Sequence, residues 1–475
     1  MNMNRDTQKH NGFDLLRINL IRKLILWAGF PYVFQILTLL VFLALAVIGS
    51  GLFPPNGVDD KLFAKTNLTN LTIWGLWWPL MIWVTVLFGR AWCFICPMEI
   101  ISNFSERLGR VIGIRQKPLK KWLCSGVLIV ALYAVIQLLV AGVHLHRIPA
   151  YTSIFLFTLL TIAMCTGLFL KDRAFCRGFC PVGMLLNAYG RGSMLAVRHA
   201  SDQACASCTS RDCVLDSNRK KIVGRSCPSL LNPAKLNSTS DCLVCGQCIK
   251  SCTPFNMTLL LRRPFHPADY REPLTSWPLT LFIMLVSGFV TYELCTEWDQ
   301  AKHVFLWIPQ QLSLVIGLST NNGWIKGFWT LFLFPFLLWS FFGAIVKIFE
   351  FNTDLTTIWR RLALPLVIVI SAGHLVKGIA KLISWIGFLP YAIRDPFGFK
   401  TVHQFTSGIL QIPAPLIDKF VVSIIGIVIM LIGIYYAIRE FRLTYNESHV
   451  YWLIPKFILG IIFLFIVFGK ELSFF

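Results

Sequence analysis

Charged residues are scarce in this chain, and acidic residues are the scarcest. Asp and Glu account for 23 of the 475 residues and all charged residues for 14%, whereas 56% are hydrophobic. With a mean hydropathy of +0.65, the composition is too apolar for a soluble domain and is typical of a membrane protein. The sequence also lacks a glycine-rich nucleotide loop, a Ser-His-Asp arrangement and a site of paired carboxylates, which argues against hydrolysis and group transfer.

Long apolar stretches predict the fold class. A membrane-spanning helix needs about twenty apolar residues to cross a hydrocarbon layer roughly 30 Å thick. We expect an all-α polytopic membrane protein with about nine such helices, near residues 28–50, 72–88, 122–142, 152–170, 277–295, 327–346, 362–386, 416–438 and 452–469. A further stretch, 303–319, is interpreted as an interfacial helix because of its length and the proline within it.

The distribution of lysine and arginine predicts the orientation in the membrane. Residues 89–121 carry seven of them and residues 171–276 carry fifteen, whereas 51–71 and 143–151 carry two and one. Because cytoplasmic loops are rich in these residues, we expect the N-terminus and both basic regions on the cytoplasmic side. The same bias accounts for the net charge of +21, and no motif indicates a nucleic-acid partner.

Eight cysteines lie within the 48 residues 205–252. Their order is C-x2-C-x4-C, then C-P, then C-x2-C-x2-C-x3-C, which is typical of two 4Fe-4S clusters with one ligand exchanged between the segments. The crossed assignment predicts one cluster at Cys205, Cys208, Cys213 and Cys252 and another at Cys242, Cys245, Cys248 and Cys227. Structural zinc and disulfides are alternatives. Zinc uses two pairs per ion, and cytoplasmic thiols stay reduced, so clusters are favoured.

A repeated motif supplies four more cysteines. GRAWCFICPMEIISN begins at Gly89 and DRAFCRGFCPVGMLLN begins at Asp172, and each copy directly follows a predicted span. Parallel copies would bring together four residues at one membrane face, called here the membrane-face cysteines: Cys93, Cys96, Cys176 and Cys180. Two interpretations stay open, a third metal centre and a dithiol–disulfide relay activated by nearby arginines, and the metal centre is favoured.

One predicted span carries ionisable residues at helical intervals. His374, Lys377 and Lys381 share one face of the stretch 362–386, and such residues within a span are candidates for function. His374 and Lys377 are interpreted as a region that contacts quinone, and a histidine hydrogen-bonded between helices is the alternative. Haem is not favoured, because no second histidine lies in the middle of a span.

The two Cys-Pro motifs followed by the paired cysteine segment resemble the NapH/NosR-type membrane polyferredoxins over residues 25–265. The resemblance implies a multi-pass protein of the bacterial cytoplasmic membrane, with two cytoplasmic 4Fe-4S clusters held by the eight cysteines. It implies electron flow between the quinone pool and a periplasmic or membrane reductase subunit, as in a quinol dehydrogenase. The alternative is an assembly or regulatory factor that supplies electrons for the maturation of a metalloenzyme.

The resulting domain prediction has four parts. It comprises a cytoplasmic amphipathic segment at 1–26, a four-helix membrane domain at 27–199, a ferredoxin-like domain with two clusters at 200–265, and a membrane domain of about five helices at 266–475.

Overall fold

The computed structural model describes residues 12–320, 322–445 and 449–472, with side chains up to residue 469. Most of these residues are helical. Seven helical segments in the described part are long and apolar enough to cross a membrane: Leu68–Val111, Pro149–Phe169, Trp277–Cys295, Gly323–Phe349, Leu355–Ile386, Lys419–Tyr445 and Val450–Gly469. The predicted all-α polytopic fold is confirmed.

Two shorter apolar helices, Tyr32–Ile48 and Val127–Gly142, coincide with the remaining two predicted spans. Both fall below the length of a full crossing, so the count of nine spans stays a prediction. Of the predicted segment 1–26, residues 1–11 lie outside the described residues, and the amphipathic helix occupies Asn19–Leu26.

The bounds of the α-helices are as follows. They are Asn19–Leu26, Tyr32–Ile48, Asp60–Thr66, Leu68–Asn70, Trp78–Phe88, Trp92–Ile95, Pro97–Val111, Val127–Gly142, Pro149–Phe169, Gly183–Tyr189, Asp202–Ala206, Gln247–Ser251, Trp277–Cys295, Asp299–Val315, Gly323–Phe328, Phe334–Phe349, Leu355–Ile386, Leu389–Arg394, Phe399–Thr406, Lys419–Tyr445 and Ile454–Leu472. The described residues include three π-helical turns, at Leu71–Trp77, Phe175–Phe179 and Trp329–Leu333. Such turns are frequent at functional sites, and the second of them contains Cys176.

A small antiparallel sheet closes the cysteine-rich segment. Strand Met257–Leu261 lies between Leu195–His199 and Phe13–Asp14. Because His199 is paired with Met257, the sheet holds the two ends of the eight-cysteine segment together. Asp14 fixes the edge strand, since its side chain accepts hydrogen bonds from the amides of Leu16 and Leu259 at 3.0 and 3.2 Å.

The chain divides into two compact units. The cysteine-rich unit comprises Met1–Phe42, Val84–Leu128 and Leu159–Arg271, and the helical unit comprises Leu43–Trp83, Ile129–Thr158 and Glu272–Phe475. Each unit takes residues from several parts of the chain, so the linear domain boundaries stay a prediction. In the cysteine-rich unit one core joins the sheet to the N-terminal helix through Ile25, Phe30, Val197, Met257 and Leu259.

Candidate metal centres

The structure brings Cys205, Cys208, Cys213 and Cys252 together, and we call these four the first cysteine group. Burial, followed by the charges of Cys252 and Cys205, raises the pKa of Cys213 to about 11. Cys205 lies on the helix Asp202–Ala206, whose N-terminus is capped by Ser201. These four residues are the predicted first set, in which the last cysteine of the segment joins the first three.

Asn256 connects two members of this group. Its side-chain amide donates a hydrogen bond to the sulfur of Cys205 at 3.2 Å, and its backbone amide donates to the sulfur of Cys252 at 3.2 Å. The orientation of Asn256 is fixed by Ser201, which donates to its side-chain oxygen at 2.9 Å. Hydrogen bonds to sulfur favour the thiolate form and are one of the means by which proteins adjust iron–sulfur centres.

The second cysteine group consists of Cys227, Cys242, Cys245 and Cys248. All four thiols line one partly open cavity. Burial raises the pKa of Cys242 to about 12, and the charges of Cys245 and Cys227 act in the same direction. These four residues are the predicted second set.

A tight turn makes this second group possible. Val244 has φ +55° and Gly246 has φ +70°, so the backbone curls between successive cysteines. A side chain at Gly246 would approach Cγ2 of Ile25 to 2.8 Å, and only glycine fits there without displacement. The two groups are joined directly, because the amide of Cys227 donates to the carbonyl oxygen of Cys213 at 2.9 Å.

The four membrane-face cysteines also come together within the cysteine-rich unit. Burial, followed by the charge of Cys93, raises the pKa of Cys180 to about 11. Burial also raises the pKa of Cys176, with the charges of Cys180 and Cys96 among the further causes. Three of the four pack against one apolar cluster formed by Met98, Ala163 and Phe175.

The two copies of the motif have matching local geometry. After each second cysteine the chain is extended, with φ and ψ of −65° and 130° at Cys96 and −70° and 111° at Cys180. Backbone amides two and three residues later face each sulfur, at Met98 and Glu99 in the first copy and Val182 and Gly183 in the second. The sequence repeat is therefore a structural repeat, with amide donors aimed at each of these sulfurs.

A buried ionic bridge lies beside these cysteines, and we define it by Glu99, Arg173 and Arg225. Glu99 is 3% exposed, Arg225 donates to it at 2.9 Å, and Arg173 bonds its other oxygen. The Cys176 thiol donates to the same carboxylate at 3.6 Å. The charge of Arg225 also acts on Cys245, so the bridge extends from the membrane-face cysteines to the second cysteine group.

Sequence analysis did not identify Glu99 as a functional residue. It follows the first Cys-Pro motif in the first turn of the helix Pro97–Val111, where an acidic residue is common. Arg225 lies in the basic stretch SNRKKIVGRS, residues 217–226, which precedes Cys227. Only the fold shows that these two distant residues meet.

Several buried donors beside the thiols lack hydrogen-bond partners. They are Nε of Arg90, Nη2 of Arg173 and Nε of Arg225. A buried, unsatisfied cationic donor is costly, and an anionic iron–sulfide centre held by thiolates would compensate it. The donor set therefore fits such a centre.

Among the described residues no three His, Cys, Asp or Glu side chains lie close enough to share a single metal ion.

The helical unit contains the predicted residues His374 and Lys377. His374 is 4% exposed and lies beside the rings of Phe289 and Trp78, with centroid separations of 5.7 and 6.5 Å. Lys377 forms ion pairs with Glu293 at 3.6 Å and with Glu297. Sequence analysis missed both carboxylates, because they lie at the end of a different helix.

Comparison with known proteins finds a family match over both copies of the Cys-Pro motif. Residues 70–115 and 152–198 each match the family model Fer4_5, described as a 4Fe-4S binding domain. These residues include all four membrane-face cysteines. The eight-cysteine segment begins after the second matched stretch.

Three curated relatives are similar to this chain. The ferredoxin-type protein NapH of Haemophilus influenzae is 21% identical over 182 residues, covering 36% of this chain and 63% of the relative. The putative electron transport protein YccM of Escherichia coli is 24% identical over 241 residues, covering 44% of this chain and 62% of the relative. The methylamine utilization ferredoxin-type protein MauN of Paracoccus denitrificans is 26% identical over 132 residues, covering 25% of this chain and 46% of the relative.

The matched region spans less than two thirds of each of these relatives. No solved structure matches the chain. The described part has seven helices that qualify as membrane spans, and the two matched stretches correspond to a 4Fe-4S binding domain. The chain is therefore a multi-pass membrane protein with iron–sulfur binding segments, and it resembles the NapH-type membrane polyferredoxins, as its cysteine motifs predict.

Proposed function

We propose that this protein is an electron carrier of the bacterial cytoplasmic membrane that links the quinone pool to a respiratory redox partner through two 4Fe-4S clusters. The observation that carries the proposal is the grouping of eight thiols into two sets of four, joined by the hydrogen bond between Cys227 and Cys213 at 2.9 Å. A bound 4Fe-4S cluster accepts and releases one electron at a time. Residues 200–265 form the cytoplasmic ferredoxin-like domain in this proposal.

In this proposal the first cysteine group holds one cluster and the second group holds the other. Asn256 orients Cys205 and Cys252 and donates to their sulfurs. The turn at Val244 and Gly246 aims three thiols of the second group into the cavity that Cys227 completes. Cys242, Cys245 and Cys248 are each half-buried.

Asn256→Ala is expected to lower the reduction potential of the first cluster by an amount on the order of tens of millivolts. The hydrogen bond from Asn256 to the sulfur of Cys205 stabilises the reduced cluster, which carries more negative charge. Alanine removes this hydrogen bond, so the reduced state becomes less favourable and the potential falls. A redox titration followed by electron spin resonance measures the shift. Ser210→Ala is the graded comparison, because Ser210 lies 3.6 Å from the sulfur of Cys208 at an exposed position, and its shift should be smaller. Unchanged potentials in Asn256→Ala would contradict the role of this residue.

We assign the membrane-face cysteines to a third metal centre rather than to a dithiol relay. Four thiols meet there, the unsatisfied donors of Arg90 and Arg173 adjoin them, and the 4Fe-4S family model matches these residues. The buried ionic bridge would then lie between this centre and the second cysteine group.

The double variant Cys93→Ala/Cys176→Ala tests this third centre. We expect about twelve irons per chain in the wild type and about eight in the variant, measured with acid-labile sulfide. Cys165→Ala, at an exposed position outside all three groups, should keep the wild-type iron. Eight irons in both wild type and double variant would leave the dithiol relay as the remaining interpretation.

The quinone contact is assigned to the region of His374 and Lys377. Support comes from the burial of His374 against the aromatic rings of Trp78 and Phe289 and from the rarity of ionisable residues inside spans. The reductase subunit that exchanges electrons with the clusters has no signature in the chain.

The proposed function is tested by adding a quinol analogue to the anaerobic, oxidised protein in detergent. We expect the visible absorption of the clusters to bleach and the spin-resonance signal of reduced clusters to appear. Dithionite supplies the control for full reduction. Reduction by dithionite without any response to quinol would contradict the link to the quinone pool.

A further inference from the structure

A chain of ionisable residues enters the helical unit from one end. Helices Trp277–Cys295 and Leu355–Ile386 pack against each other, and the first of them ends beside the middle of the second. We define the ionic chain as Glu297, Lys377, Glu293 and His374. It begins just beyond the C-terminal end of Trp277–Cys295 and runs into the packed helices.

Direct contacts connect the outer members of the ionic chain. The ammonium group of Lys377 contacts the carboxylate of Glu297, donates to Oγ1 of Thr296 at 2.8 Å, and lies 3.6 Å from Oε2 of Glu293. The charges of Glu293 and Lys377 both act on His374. Each member is thus electrostatically linked to the next.

The two ends of the ionic chain differ most in exposure. The side chain of Glu297 is 36% exposed and His374 is 4% exposed, and the side chains of Lys377 and Glu293 between them are 12% and 25% exposed. The ionic chain therefore connects a solvent-exposed residue, Glu297, with a buried one, His374. Buried ionisable residues of this kind in membrane proteins mark proton relays or ion pathways.

The ionic chain stops at His374. The twelve residues 362–373 contain no Asp, Glu, Lys, Arg or His, and neither do residues 277–292 of the neighbouring helix. At a rise of about 1.5 Å per residue, roughly 20 Å of apolar helix separates His374 from Arg361. A pathway with one closed end does not conduct ions across the membrane. It suits the exchange of protons with a molecule dissolved in the membrane.

Basic residues also act on the ionic chain. Lys381 lies one turn beyond Lys377, interacts with both carboxylates and with Arg147, and places its ammonium group 5.2 Å from the ring of Trp385. Glu293 is the acidic residue whose charge acts on His374. The rings of Phe289 and Trp78 also lie beside His374.

We propose that the ionic chain carries the protons that a membrane quinol releases, from His374 through Glu293 and Lys377 to Glu297. This inference rests on the quinone link of the proposed function. Oxidation of one quinol yields a quinone, two electrons and two protons. The electrons leave through the iron–sulfur centres to a soluble oxidant, and the protons leave at the membrane face where helix Trp277–Cys295 ends, which the lysine and arginine distribution predicts to be the outer one.

The test uses the full-length protein, reconstituted with its clusters into liposomes that contain a pH-sensitive dye. A quinol analogue and external ferricyanide, which does not cross the membrane, drive turnover in liposomes sorted for one orientation. In the wild type we expect protons to appear on the side where Glu297 lies. Glu293→Gln should slow that release by tenfold or more, with iron content and the spin-resonance spectrum unchanged.

The controls separate this pathway from the proposed function. Asp299→Asn changes an exposed carboxylate two residues from Glu297 and should release protons like the wild type. Glu297→Gln should also slow proton release. It leaves the ion pair of Lys377 with Glu293 in place, so it tests the pathway even if Glu293→Gln does not fold. Wild-type proton release in both glutamine variants would overturn the pathway alone. A wild type whose clusters ignore quinol would overturn the pathway and the quinone link together, while leaving the cluster assignment intact.

Discussion

Two double cysteine variants should lose different amounts of iron if the ligands are crossed between the two segments. We expect Cys205→Ala/Cys252→Ala to remove only about four irons per chain, because both residues belong to the first cysteine group. We expect Cys205→Ala/Cys227→Ala to remove about eight, because each group loses one ligand. Iron and acid-labile sulfide per chain, measured on anaerobically purified protein, give the result.

This comparison has its own control, since each double variant removes two cysteines of the same eight. If each segment instead held its own cluster, the outcomes would exchange: Cys205→Ala/Cys252→Ala would lose both clusters and the other variant only one. The proximity of Cys213 to Cys252 and of Cys242 to Cys227 is the basis for the crossed expectation. Equal losses in the two variants would contradict it.

Glu99→Gln should destabilise the cysteine-rich unit strongly. The substitution leaves the guanidinium groups of Arg173 and Arg225, which are both 6% exposed, without their shared anion. Removing one partner of a buried ion pair costs about 3–5 kcal/mol, because the remaining charge stays buried and uncompensated. For a unit of this size the midpoint of thermal unfolding in detergent should fall by an amount on the order of 10 °C.

Glu106→Gln on the same helix is the matched control. Glu106 pairs with Arg110 at 2.9 Å, four residues along the helix, and a pair of this kind contributes only about 0.3–0.5 kcal/mol. Its unfolding midpoint should therefore stay close to that of the wild type. A similar midpoint for Glu99→Gln and Glu106→Gln would show that the buried ionic bridge does not hold the unit together.

The cysteine spacing predicted which thiols the structure brings together. Short spacings such as Cys242, Cys245 and Cys248 force three side chains toward one point, and the fourth position is then left for Cys227. The repeat predicted the meeting of the membrane-face cysteines for a similar reason, since two parallel copies of one motif place matching cysteines at the same membrane face. Their roles as cluster ligands stay a prediction.

The partners of these residues could not be predicted from the sequence. Glu99 meets Arg225 across 126 positions, and Glu293 meets Lys377 across 84, and neither contact has a local pattern. Hydrophobic periodicity reports which face of a helix is buried, but it does not report which charged residue of another helix lies opposite. The edge strand Phe13–Asp14 was missed for the same reason, because its partner lies almost 250 residues away.

The most direct measurement is the iron and sulfide content of the full-length protein, together with its low-temperature spin resonance after reduction. After anaerobic purification and reconstitution, we predict at least eight irons and eight sulfides per chain and the spectrum of reduced 4Fe-4S clusters. Colourless protein without iron under these conditions would contradict the account.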